Sequence, residues 1–202
     1  MVKVCLNIMI GKNMENKIKL LFIKIPKTGS TSLRTAFNLP AGHHTLGLFE
    51  EVYADYDYSF TFVRNTYTRL VSWYRFHHDY SISGFREWVK SGCPTSWGDG
   101  WFASWQDNNP LDQMLYIKNK EGVVNIDFIG FFENIKEDYI ELCNELDITE
   151  PPLLANIKPK SKRALTSFSY DAKEFYDVET KKIVDSLFKE EIEYFKFKFF
   201  EQ

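Results

Sequence analysis

Several stretches of this 202-residue sequence carry residue types that do chemistry on anions. The first is Pro26-Lys27-Thr28-Gly29-Ser30-Thr31-Ser32, a lysine followed by small and hydroxylated residues. A helix start leaves backbone N–H groups without intrahelical partners and carries a partial positive charge, so such a loop can seat a phosphate-like anion, with Lys27 adding a full charge. The same residues also make a plain helix cap beside a solvated lysine. The spacing is not that of a Walker A loop, because Leu21 stands where its first glycine would be and Gly29 follows the lysine. A second stretch has Arg64, with Ser72 eight residues on, about two helical turns. Arg64 either holds an anion or pairs with a carboxylate; Arg69 and Arg75 read as structural or solvated. The histidines fall in two pairs, His43-His44 and His77-His78, and Asn156 to Arg163 is a basic loop in an otherwise acidic chain.

Elements to position these residues are legible around them. Lys19 to Ile25 is a short apolar run ended by Pro26, the pattern of a strand buried on both faces, and Leu33, Ala36 and Phe37 then recur at helical spacing. Tyr58 to Val63 reads as a second strand ending at Arg64. Asn65-Thr66 can then cap a helix carrying Leu70, Val71, Trp73 and Tyr74. Val123 to Phe132 reads as a third strand, leading through Glu133-Asn134 into a helix with Tyr139, Ile140, Leu142, Cys143 and Leu146 on one side. Strands alternating with helices predict an α/β fold, a three-layer parallel sheet flanked by helices, with ligands at the carboxyl ends of the strands where Arg64 stands. Residues 91–110, rich in Gly, Trp, Asp and Asn, are too long for an ordinary connection and read as a lid or an irregular insertion. Trp97, Trp101 and Trp105 there either stack on sugar faces or pack as a helical stripe. A closing helix is expected from about Val178 to Phe197.

Hydrophobic residues at 44% and charged residues at 26% are those of a globular protein, and the length suits a single domain spanning 1–202. Twenty-five basic against twenty-eight acidic residues give a net charge of −3, so no global field attracts a nucleic acid or a membrane surface, and any anion site is local. Cys5, Cys93 and Cys143 are widely spaced and have no zinc-site pattern; they read as reduced structural thiols, and no metal is expected. The opening run from Met1 to Ile10 is too short for a spanning helix, from which a cytoplasmic location is expected.

Phe22-Ile23-Lys24-Ile25-Pro26-Lys27-Thr28-Gly29-Ser30-Thr31-Ser32 resembles the 5′-phosphosulfate loop of PAPS-dependent sulfotransferases. Phe62-Val63-Arg64-Asn65-Thr66-Tyr67-Thr68-Arg69-Leu70-Val71-Ser72 resembles their 3′-phosphate motif. Asp127 to Asn134 is similar to a further segment of the branch that contains many carbohydrate O-sulfotransferases. So is the closing stretch from Asn156 through Tyr176, Glu179-Thr180 and Phe195. The resemblance runs in order over about residues 19–199. Two positions depart from it: Thr66 stands where the family usually has proline, and no histidine lies near Tyr170.

The resemblance implies a P-loop-like sulfotransferase architecture that moves a sulfonate from PAPS to a hydroxyl acceptor, a glycan by the branch resembled, leaving PAP. It implies that Lys27 contacts the bridging oxygen of PAPS, that the backbone of Thr28, Gly29, Ser30, Thr31 and Ser32 with the last two hydroxyls holds the 5′ side, and that Arg64 and Ser72 hold the 3′-phosphate. The loop over 156–170, through Lys160 and Arg163, would close over the nucleotide, or is a solvated charge run. An acceptor hydroxyl must lose its proton, and His44, placed where several branches carry a base, is the first choice, with His43 and Glu50 as its alternatives and His43, Glu50 and Trp101 as acceptor-side residues. His77-His78 is expected to pack or face solvent. Two rivals remain: a nucleoside or metabolite kinase of similar fold, which the missing Walker A loop disfavours, and a non-catalytic nucleotide- or glycan-binding relative.

Overall fold

The computed structural model describes residues 6–10, 16–39, 43–47, 50, 55–78, 81–95, 111–154 and 171–200. Trp97, Trp101, Trp105, Lys160 and Arg163 lie outside the described residues. The chain forms two compact units, one of residues 1–63 with 113–157 and one of residues 64–112 with 158–202.

The first unit is built on a four-stranded sheet in the order β1 (Leu6–Ile10), β2 (Asn16–Ile23), β3 (Tyr58–Val63), β4 (Phe128–Phe131). The three strands β2, β3 and β4 are parallel, with Phe22 opposite Phe60 and Phe62 opposite Gly130. Helices flank them, in agreement with the α/β expectation. The strand β1 departs from it, pairing antiparallel with β2 and extending the parallel core by a hairpin. The third strand is shorter than its apolar run suggests. Val124 instead forms an isolated bridge with Lys118, next to a turn in which the Asn119 carboxamide oxygen accepts from the backbone N–H groups of Glu121 and Val123, so the first half of the run stays outside the sheet.

Alternation along the strands places Leu20, Phe22, Phe60, Phe62 and Phe128 on one face, where they pack with Leu33 and Phe37 of α1 (Ser30–Ala36). They also meet Tyr139, Leu142, Cys143 and Leu146 just before, in and after the middle of the helix Ile135–Glu145 and its cap. Phe22 and Phe60 stack at 4.8 Å between ring centroids. Gly130 leaves the room that the Phe62 ring fills, since a Cβ there would sit 2.4 Å from Cε1. Ile140, expected on the buried side of that helix, is exposed, because the stripe that packs is 139, 142, 143 and 146 and position 140 lies about a quarter turn off it. On the other sheet face Leu21, Ile23, Thr61 and Val63 are also fully buried.

The second unit is helical. It comprises α2 (Thr66–His77), α3 (Ile82–Lys90), a 3₁₀ turn at Ala172–Phe175, and a closing pair Val178–Leu187 and Lys189–Phe195. With α4 (Met114–Ile117) and α5 (Ile135–Glu145) of the first unit, these last two are α6 and α7. Asn65 caps α2 as expected, its side chain accepting from the Tyr67 N–H at 3.1 Å. The closing helix expected over 178–197 is broken at Phe188, whose φ of −116° and ψ of 28° leave helical geometry and whose ring goes into the core. That core joins Leu70, Val71, Trp73, Phe85, Trp88, Phe175 and Val184. Cys93 and Cys143 are buried free thiols, one in each unit, and burial pushes the Cys93 thiol up to about 12. Among the described residues no helix is long and apolar enough to cross a membrane.

Candidate functional site

The loop after β2 turns on two left-handed residues. Lys27 has φ 67° and Gly29 φ 75°, so two of the three residues before α1 take the left-handed conformation. A lysine in this region is strained, and such strain concentrates at functional sites. Thr28, between them, is fully buried and spends its hydroxyl on the Ile25 carbonyl at 2.9 Å, so its side chain fixes the shape of the loop. Ser32 and Leu33 donate their N–H groups to the Gly29 carbonyl, closing the first turn, and Thr31 is exposed. Lys27 and Ser32 are half-buried at the carboxyl end of the parallel strands, where α/β sheets bind ligands.

Gly29 is required here on two counts. Its φ lies where L side chains are strained, and a Cβ would stand 2.6 Å from Ile135 Cδ1 and 3.1 Å from Phe132 Cδ2. This close approach brings the loop against the start of α5, where Phe132, Ile135, Lys136 and Tyr139, with Pro151 to Leu154, line a cavity of about 430 Å³ that also reaches Gly29 and Ser32. The cavity is mostly apolar. The Phe131 N–H donates to Asp138 at 2.5 Å and the Tyr139 hydroxyl donates to the Pro152 carbonyl at 2.7 Å, fixing both walls. Sequence reasoning missed Phe132, Ile135 and Pro152 as site residues. The only hint in the sequence was Gly29 itself, a glycine at a point where the backbone must come close to something.

His43 and His44 are both half-buried in the same unit. His43 Nδ1 lies 2.7 Å from the Lys24 carbonyl oxygen. A carbonyl only accepts, so Nδ1 carries the proton and the neutral ring keeps its lone pair on Nε2. Burial first, and then the positive charge of Lys24, lower the His43 pKa to about 4; burial also lowers that of His44. Lys24 is itself pulled down from its ordinary value by burial and by the Arg34 charge. Glu50 accepts a hydrogen bond from Asn125 Nδ2 at 3.3 Å.

In the second unit, Arg64 precedes the cap of α2 and is splinted by Thr68, to whose hydroxyl its Nε donates at 3.0 Å. Ser72 is half-buried two turns along. Arg69 is fully buried beside Glu191, as its structural reading expected. His77 and His78 pack, the first 4.3 Å from the Trp73 ring and the second stacked on Tyr74 at 5.0 Å. The structure thus brings the Lys27 loop, the His43-Lys24 pair and the apolar cavity into one unit, and sets Arg64 at a helix start in the other.

A model of the Sulfotransferase family matches residues 12–198. The chain belongs to the sulfotransferase family. The match covers the Lys27 loop, Arg64 and the closing helices of this sulfotransferase, and it makes the protein a transferase of sulfonate groups from a donor to an acceptor. No curated protein and no solved structure matches the chain significantly.

Proposed function

We propose that this sulfotransferase takes PAPS as donor and passes its sulfonate to a hydroxyl group of a carbohydrate. The observation that carries the donor reading is the sharing of Gly29 and Ser32 between the loop that follows Lys27 and an apolar cavity of about 430 Å³. An anion seat joined to an apolar slot is what an adenine nucleotide needs, with phosphate at one end and a flat base at the other. Phe132 offers the slot an aromatic face and Pro152 and Leu154 its far wall. PAPS supplies an activated sulfonate whose leaving group is a phosphate oxygen. Lys27 places its ammonium where negative charge grows on that oxygen, and the backbone from Thr28 to Ser32 holds the 5′ side. Arg64 with Ser72 takes the 3′-phosphate, and Lys160 and Arg163 close over it.

On the acceptor side His44 removes the hydroxyl proton, with His43, Glu50 and Trp101 contacting the sugar. One observation favours a second assignment of the base. The bond from His43 Nδ1 to the Lys24 carbonyl fixes the tautomer that carries its lone pair on Nε2, which equips His43 for the same task. A screen of glycan and small-phenol acceptors with labelled PAPS tests the whole reading. Label entering a sugar hydroxyl supports it, transfer to phenols alone removes the carbohydrate, and no transfer from PAPS to any acceptor removes the donor.

A further inference from the structure

We propose that Arg69 and Glu191 are positioning residues for the phosphate seat at Arg64, acting as a buried, charge-compensated anchor on the first turn of α2. The inference rests on the placement of the 3′-phosphate at Arg64. Thr66, the first residue of α2, donates its hydroxyl to Glu191 Oε1 at 2.6 Å across 125 positions of sequence. Thr66, Arg69 and Glu191 are each fully buried. Where the family usually has proline, this chain therefore has a hydroxyl that ties the phosphate-binding turn to α7. Asn65 makes a parallel tie, its Nδ2 donating to the Lys198 carbonyl at 2.9 Å. Arg64 is bonded to Thr68 of the same turn, so the grip on Thr66 and Asn65 reaches its guanidinium.

The geometry at Arg69 is not that of a stability device. Its Nη2 donates to the Leu111 carbonyl and stands 3.9 Å from Glu191 Oε1, beyond hydrogen-bond distance, while Nε and Nη1 are buried without a hydrogen-bond partner. Burying two charges at that separation costs desolvation that their attraction does not clearly return. What the guanidinium does supply is charge. Glu191 grips the turn two residues from Arg64, and a carboxylate left uncompensated there would repel the phosphate that Arg64 attracts. Arg69 cancels it, so that the tether to Thr66 is kept without its electrostatic penalty.

This makes a double-variant prediction that packing alone does not. The dissociation constants of PAP and of adenosine 5′-phosphosulfate, which lacks the 3′-phosphate, are measured by titration calorimetry for the full chain, with the melting temperature taken alongside. Arg69→Met weakens PAP on the order of tenfold, the scale of one uncompensated charge near a binding site, and leaves adenosine 5′-phosphosulfate nearly unchanged. Arg69→Met combined with Glu191→Gln recovers most of the PAP affinity although it removes more native groups. If Arg69→Met does not fold, Thr66→Val carries the test: it loses PAP affinity selectively, and Thr66→Ser restores it. Equal weakening of both nucleotides, or a double variant that binds PAP no better than Arg69→Met, overturns the proposal. A wild-type protein that binds PAP no tighter than adenosine 5′-phosphosulfate overturns the placement at Arg64 itself, and this inference with it.

Discussion

His43 Nδ1 lies 2.7 Å from the carbonyl oxygen of Lys24, in the strand exit that leads to Lys27. The bond fixes the neutral tautomer, and burial keeps the ring neutral down to a pH of about 4. The folded pKa lies below the unfolded one, so the folded protein resists protonation. The stability this represents is intact above about pH 6.5 and is lost as pH falls toward 4, amounting to on the order of 3 kcal/mol. Urea unfolding at pH 7 and at pH 4.5 measures it. The wild type is expected to lose more stability across that interval than His43→Asn, and equal losses contradict the burial account.

The base is separable by kinetics. At saturating PAPS, whichever of His43 and His44 takes the acceptor proton loses on the order of 10²–10⁴-fold in turnover on change to alanine, with PAP affinity preserved. Loss concentrated in Glu50→Ala would move the base to a carboxylate. His77→Ala, packed on Trp73, serves as the control and is expected to alter stability rather than turnover.

Gly29→Ala places a methyl group 2.6 Å from Ile135 Cδ1 on a backbone with φ 75°. A left-handed alanine costs about 1–3 kcal/mol, and displacement of Ile135 disturbs the cavity wall as well. A lowered melting temperature together with weakened PAP binding is expected. A variant that melts lower yet binds PAP normally would separate the loop from the nucleotide.

Phe132→Ala removes the aromatic face of the cavity, which packs beside Gly29, and leaves every residue of the Lys27 loop in place. PAP affinity is expected to fall while the affinity for inorganic pyrophosphate, which needs only the anion seat, holds. If both fall together, the cavity and the loop act as one structural unit and the base-binding role of Phe132 is lost.

The residues with local chemistry were the ones readable in sequence. Tyr58–Val63 and the Asn65 cap were legible because alternation, a terminal arginine and an Asx cap agree on one structure. Lys27 and Gly29 stood out because a lysine among small residues after a buried strand suits an anion seat as well as a plain helix cap. What was not legible depended on partners far away in the chain. The slot formed by Phe132, Ile135 and Pro152 exists only once α5 is packed on the sheet. Its residues read locally as a strand end, a helix start and a proline turn. The hairpin of β1 was hidden because Leu6 to Ile10 is a short apolar run whose register is set by pairing with β2. The break at Phe188 was hidden because apolar periodicity continues through it, and only tertiary burial of the ring turns the chain there. Thr66 stood out only as a departure from the family's usual proline, and its bond to Glu191, 125 residues away, was hidden from the sequence.

Lys27 bears the chemistry in this account, and turnover by its alanine variant tests that most directly. Transfer of labelled sulfonate from PAPS is measured for the wild type and for Lys27→Ala at saturating donor, with PAP binding and the melting temperature recorded for both. The account predicts a folded variant that binds PAP within a few-fold of the wild type and has lost turnover on the order of 10²–10³-fold, as when a group aimed at developing charge is removed. Turnover near the wild-type rate by a folded, PAP-binding Lys27→Ala protein would contradict it.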